Sequence, residues 1–164
     1  IGTPRGCDAL EQLLFSKPYF DRAGFFLAEE FGRVVGFSHA GFCASDDKSQ
    51  LDRSLGAVYM AAVRPEYRRR GIGRGLVQLG QSYLAERGAQ LQYLGGMFPL
   101  NAFYLGLYGG SELPGLLASD AVAQAFARSL SYEPCDECLV YHRRLDELPR
   151  TSDSRIALLK RMVE

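Results

Sequence analysis

Arg68, Arg69, Arg70, Gly71, Gly73 and Arg74 stand close together in the segment Val-Arg-Pro-Glu-Tyr-Arg-Arg-Arg-Gly-Ile-Gly-Arg-Gly, residues 63–75. Guanidinium groups are charge-assisted donors whose fork suits phosphate oxygens. Gly71 and Gly73 keep side chains out of the way of a bulky anion approaching the main chain. These residue types at this spacing point to holding a phosphate rather than to making or breaking a bond. A β-rich run, residues 58–63, comes just before the segment, and a helical run, Leu76 to Arg87, just after it. A strand that passes through such a turn into a helix aims several backbone N–H groups at one place, and the helix N-terminus adds partial positive charge there.

Two familiar phosphate loops do not fit. A Walker-type loop ends in Gly-Lys-Ser/Thr, and Arg74-Gly75 does not supply that ending. A dinucleotide fingerprint needs Gly-x-Gly-x-x-Gly, and Leu76 stands where its third glycine belongs. The longer string Val63-x-Pro65-x-Tyr67-Arg68-x-x-Gly71-x-Gly73 closely resembles the acetyl-coenzyme A signature of the GCN5-related N-acetyltransferases, the GNAT superfamily. That signature is Arg or Gln, two residues, Gly, one residue, then Gly or Ala. Arg68, Gly71 and Gly73 match it without a gap.

Composition sets the frame for these elements. A chain of 164 residues favours one domain with an ordinary core. Hydrophobic content of 47% against 23% charged is that of a folded protein and not a disordered one. The formal net charge is zero, so nothing draws the whole chain to nucleic acid or to a membrane surface. No apolar run is long enough to span a bilayer, and the N-terminus lacks a signal segment. A cytoplasmic enzyme is expected, and the Arg-heavy, Lys-poor usage goes with a bacterial source. Cys135-Asp-Glu-Cys138 is a single Cys-x-x-Cys with His39 and His142 as the only histidines, so the cysteines read as reduced thiols and no metal is expected.

Along the chain, Asp8 to Phe15 reads as a short helix with Leu10, Leu13 and Leu14 on one face. Residues 24–30 and 34–42 read as a hairpin around Phe31-Gly32-Arg33, with Gly36 and Gly41 as weak points. Residues 43–55 read as a polar loop, 57–63 as a strand, 74–87 as a helix burying Leu76, Leu79, Gly80, Tyr83 and Leu84, and 90–95 as a strand. Ser119 can cap a helix from Asp120 to Leu130 that buries Val122, Ala123, Phe126 and Leu130. Cys138 to Leu145 reads as a last strand. The domain division is a helical segment over 1–22, a main domain over 23–147 and a C-terminal helix or tail over 148–164.

This order is a mixed α/β domain, and the resemblance implies a central mixed sheet of about six to seven strands with helices on both faces. The segment before residue 23 is short for that family. The resemblance further implies that coenzyme A lies where two strands splay apart, against backbone groups of Ala61, Ala62 and Val63. Its pyrophosphate would sit on Arg68, Arg69, Arg70, Gly71, Ile72, Gly73 and Arg74, with Asp120 and Phe126 from the later helix alongside. Diverging strands leave N–H and C=O groups that need a partner, whatever the family. The implied activity is transfer of the acetyl group of acetyl-CoA to a primary amine, on a small molecule or a peptide, by direct attack in a ternary complex. A homodimer is compatible with it. The alternative is a non-catalytic acetyl-CoA-binding lobe of a larger protein. The second family element reads Asn, two residues, Ala, two residues, Phe-Tyr, then Leu-Gly-Phe. Here Ala123, Phe126, Leu130 and Tyr132 fit it, while Asp120, Ala127 and Ser131 depart from it. Ala127 stands where many relatives carry the tyrosine that protonates the departing thiolate. Tyr104 and Tyr108, in the long aromatic connection over 97–118, are the candidate general acids. The general base stays open among Glu29, Glu30, Glu112, His39 and water.

Overall fold

Phe31 and Gly32 both have positive φ, 50° and 76°, which makes the two-residue turn that suits the twist of a β-hairpin. It joins β1 (Phe25–Glu30) to β2 (Arg33–Ala44), with Glu30 opposite Arg33. The computed structural model describes residues 7–45, 47, 49–95, 115–137 and 139. Within them the chain runs through α1 (Cys7–Leu10), which continues as a wider turn over Glu11–Phe15, then β1, β2, β3 (Leu51–Val63), α2 (Ile72–Glu86), β4 (Leu91–Leu94) and α3 (Ala121–Arg128). The strand order is β1-β2-β3-β4, antiparallel twice and then parallel, so the sheet is mixed as expected. The expected strand over 138–145 and the tail over 148–164 lie outside the described residues.

Each face of the sheet carries its own core. Leu14 packs with Ala57 and Tyr59 on the α1 face, alongside Leu10, Tyr19, Phe20, Phe25, Met60 and Tyr93. On the other face Ala40, Phe42 and Val58 pack against Val77, Tyr83 and Leu84 of α2 and against Leu130. Helix α2 lies very close to the sheet because glycines face it. A Cβ on Gly80 would stand 3.0 Å from Val58 Cγ2, and one on Gly56 would stand 2.7 Å from Leu84 Cδ2. Gly36, read from sequence as a weak point, is a contact of the same kind: its Cβ would meet Ala62 O at 2.9 Å and Leu76 Cδ1 at 3.1 Å.

Several boundaries differ from the sequence reading. β3 begins at Leu51, inside the expected loop, because Cys43 and Ala44 of β2 pair with Asp52 and Leu51. Helix α2 begins at Ile72 rather than 74, because Gly71 turns into the left-handed region and its carbonyl takes the N–H of Gly75 at 3.0 Å. Leu79 and Val122 are exposed, while Val77 and Ala127 take the buried places. Asp120, not Ser119, caps α3: its carboxylate accepts the N–H of Ala123 at 2.9 Å.

Candidate active site

The site begins at an irregularity in β3. The Val58 carbonyl accepts the N–H of Gly95 and therefore faces β4, whereas the Arg64 N–H donates to Val35 O and therefore faces β2. In an unbroken strand residues six apart point their peptide groups to the same edge. The change of edge comes from a bulge at Tyr59, where the register shifts between His39 opposite Met60 and Ala40 opposite Val58. Tyr59 and Met60 accordingly pack against the same core although they are adjacent. Beyond the bulge Ala61 and Val63 turn their peptide groups away from β2, toward an edge at which no described residue pairs with them, the β4 pairing ending at Val58. Ala62 does not share this role: it pairs with Phe37 and its carbonyl points at Gly36 of β2. The Val63 carbonyl accepts from Arg68 Nε at 3.0 Å, which leaves the peptide groups of Ala61 and the N–H of Val63 along that edge.

The end of this edge meets the start of α2. Gly71, with φ of 81°, is the N-cap and offers no side-chain hydrogen bond. The N–H groups of Ile72, Gly73 and Arg74 therefore have no partner in the helix, and among the described residues none is supplied from elsewhere. A Cβ on Gly71 or on Gly75 would meet none of the described residues within 4 Å, which leaves the space before the helix open among them. Gly73 faces inward instead: a Cβ there would lie 3.6 Å from Val63 Cγ2 and 3.7 Å from the Phe126 ring. Val63, Gly73 and Phe126 are thus brought together. The Ser38 hydroxyl, buried in β2, donates to Leu76 O at 2.8 Å and ties the first turn of α2 to the sheet.

Most of the arginines act as braces. Arg64 Nε donates to Val34 O at 2.9 Å. Arg70 forms an ion pair with Glu30 and lies over the Tyr67 ring at 5.2 Å. Arg74 donates to the carbonyl and hydroxyl of Ser129 at 3.1 and 3.0 Å. Glu30, a candidate base in the sequence and otherwise read as a solvated turn residue, is instead the partner of Arg70. Ser129 has no signal in the sequence at all. The Asp120 carboxylate, expected at the cofactor, is occupied in capping α3.

The proton-handling groups remain sparse. His39 is 0% exposed, and its ring lies 5.2–5.5 Å from those of Phe20, Phe25 and Tyr59. Burial pushes its pKa down from 6.5 to about 4, so it is a neutral core residue. Ala127 is buried and has no hydroxyl. Tyr132 packs in the α2-side core, and burial pushes its pKa up. Tyr104, Tyr108 and Glu112 lie outside the described residues. No group of residues suited to a metal ion occurs among the described ones, and Cys135 is exposed. A feature the sequence reading missed is a cleft of about 640 Å³ on the α1 face, lined by Glu11, Phe15, Phe20, Arg22, Phe25 and Leu27. Its aromatics Phe15, Phe20 and Phe25 lie near one another in sequence but on different elements, and only the folding of the α1 segment onto β1 makes a cleft of them.

The sequence profile described as the acetyltransferase (GNAT) family matches residues 5–108. The chain belongs to that family. Among curated relatives of this GNAT chain, the mycothiol acetyltransferase of Streptomyces bingchenggensis is 41% identical over 91 residues, covering 54% of this chain and 27% of its own length. That of Thermobispora bispora is 43% identical over 72 residues, covering 44% of this chain and 24% of its own. The chain therefore spans about a quarter of the length of these relatives. Among solved structures, an aminoglycoside N-acetyltransferase, AAC(6')-Iy, in complex with CoA superposes with a TM-score of 0.54 at 16% identity, covering 82% of each chain. An aminoglycoside acetyltransferase from an uncultured soil metagenomic sample, in complex with sisomicin, gives 0.54 at 17% identity, covering 87% of this chain and 76% of its own. At these identities the likeness is one of fold, and it agrees with the mixed sheet and the α2 placement described above.

Proposed function

We propose that this GNAT chain is an N-acetyltransferase that binds acetyl-CoA and delivers its acetyl group to a primary amine by direct attack in a ternary complex. One observation carries the reading: the open edge of β3 at Ala61 and Val63 runs directly into the uncapped N-terminus of α2. An extended polar chain that ends in a diphosphate fits both parts. The N–H groups of Ile72, Gly73 and Arg74 hold the anion with the helix dipole behind them, and the peptide groups of Ala61 and Val63 pair with the amide-bearing arm. Acetyl-CoA supplies an activated acyl group as a thioester. The Ala61 or Val63 N–H polarises the reacting carbonyl as an oxyanion donor, and holding amine and thioester together supplies much of the rate.

The acceptor comes from the α1 face. The 640 Å³ cleft there has the size of a small-molecule site, an aromatic floor, and Glu11 as a carboxylate for a cationic amine. The names of the relatives, mycothiol and aminoglycoside acetyltransferases, support a small-molecule amine over a peptide. The proposed setting is the bacterial cytoplasm. Thermal melting with acetyl-CoA, followed by thiol release across a panel of amines, tests the reading. A raised Tm and release with at least one amine are expected; an unchanged Tm rejects it. Binding without release on any acceptor favours the second reading, a non-catalytic acetyl-CoA-binding lobe, which the buried Ala127 and the lack of a carboxylate on residues 57–63 support.

A further inference from the structure

The cleft on the α1 face carries one charge of each sign. Among the described residues its lining is Glu11, Phe15, Phe20, Arg22, Phe25 and Leu27. Glu11 and Arg22 are both exposed. They do not pair with each other, and neither side chain makes an ion pair or a hydrogen bond with another described residue. The rest of the lining is apolar. The Phe15 ring meets those of Phe20 and Phe25 edge-on, with centroids 5.3 and 5.9 Å away, and Leu27 is 58% exposed. Phe25 stands in one cross-strand row with His39 and Met60, the neighbour of Ala61, so the cleft and the open edge of β3 lie along the same row of the sheet.

This inference rests on the reading of the cleft as the acceptor site and names the acceptor's class. One carboxylate against one guanidinium leaves the described lining without net charge. A polycation would gain a partner at Glu11 and meet repulsion at Arg22. Opposite charges that stay apart beside an apolar floor match a ligand that carries both charges and an apolar group. We propose that the acceptor is an α-amino acid with an apolar side chain: Glu11 takes its ammonium, Arg22 its carboxylate, and the phenylalanines its side chain. A guanidinium grips a carboxylate through two parallel N–H donors, and aromatic rings give the side chain a floor to bury against. In the transfer the amine nitrogen bonds to the acetyl carbon and the C–S bond breaks. Of the two protons that the ammonium sheds, one goes to the sulfur and one to water.

The test measures dissociation constants of three matched ligands with coenzyme A present, for the wild-type chain and for Arg22→Gln and Glu11→Gln. The ligands are L-phenylalanine, phenethylamine, which lacks the carboxylate, and 3-phenylpropanoate, which lacks the amine. The wild type should bind L-phenylalanine more tightly than either analogue by about tenfold or more, the usual size of a charge-assisted contact. Arg22→Gln should remove the preference over phenethylamine, and Glu11→Gln the preference over 3-phenylpropanoate. Tm without ligand should stay unchanged in both variants, because neither side chain has a partner to lose. A wild type without the preference, or a preference that survives its variant, overturns the proposal. Thiol release from acetyl-CoA gives the separate readout for the transferase reading. Release with phenethylamine but not with L-phenylalanine keeps that reading and overturns this one. Preferential binding of L-phenylalanine without release upholds the cleft assignment and overturns transfer to it.

Discussion

His39 is fully buried, and Phe20, Phe25 and Tyr59 surround it, so an imidazolium there would lose its hydration. Its folded-state pKa of about 4 lies below the ordinary 6.5, so between those values the unfolded chain binds more protons than the folded one. Stability is therefore full above pH 6.5 and falls as pH drops through the window toward 4. Acidification from pH 7 to pH 5 should lower the unfolding free energy by about 2 kcal/mol through this group. Urea titrations at the two pH values check this, with His39→Leu expected to flatten the difference. At this scale the sequence shows which residues carry charge but not whom they meet. Arg70 and Glu30 are 40 positions apart, and no local pattern links them. The arginine run was legible as a cluster of cationic donors; that most of its guanidinium groups serve as struts was not, because the acceptors sit on elements distant in the chain.

The elements flanking the loop were read well, because hairpin and helix advertise themselves by alternation and by three-and-four spacing. Their limits were read less well. Residues 43–55 look like a loop in isolation, and pairing of Leu51 and Asp52 with β2 draws the end of that stretch into β3. Spacing likewise gives an apolar stripe on α2 but not its rotation, so Leu79 was placed inside and Val77 was overlooked. The signature glycines are separable at the scale of the loop and helix. Gly71 needs its left-handed φ of 81°, so Gly71→Ala should destabilise by about 1 kcal/mol even though its new methyl has open space. Gly73 is helical, and a methyl there meets Val63 and Phe126 at ordinary contact distance, so Gly73→Ala should leave Tm unchanged or raise it. Thermal melts of the pair decide the matter: equal loss in both would mean that the two glycines serve one purpose.

At the scale of the molecule, the sheet separates two cores that share no side chain among the described residues. The α1-side core is the smaller, with Leu14 as its fully buried aliphatic contribution from the helical segment. Leu14→Ala should therefore cost about 3 kcal/mol, measurable by chemical denaturation. It should leave coenzyme affinity unchanged when assayed well below the melting transition, because α2, the loop and Phe126 lie on the opposite face. A variant that loses coenzyme binding while still folded would show that the faces are coupled. The overall mixed sheet with a helix on each face was legible from element order. The proposed acceptor cleft was not, because its walls come from the α1 segment and β1 and exist only once those two are packed together.

The bulge at Tyr59 can be regarded as a shift of reading frame in a code with a period of two. Upstream of it, even-numbered residues address β4; downstream, odd-numbered residues address the open edge. Removing Tyr59 would erase the shift without disturbing either side of it: Ala40–Val58 and His39–Met60 would become consecutive pairs, and Ala61 and Val63 would keep their edge. Removing a residue beyond the bulge, such as Ala61, would instead make Ala62 and Val63 exchange faces and take Val63 away from Gly73 and Phe126. The donor side of the strand is thus written in its frame downstream of Tyr59, and point substitutions at Tyr59 leave that frame untouched.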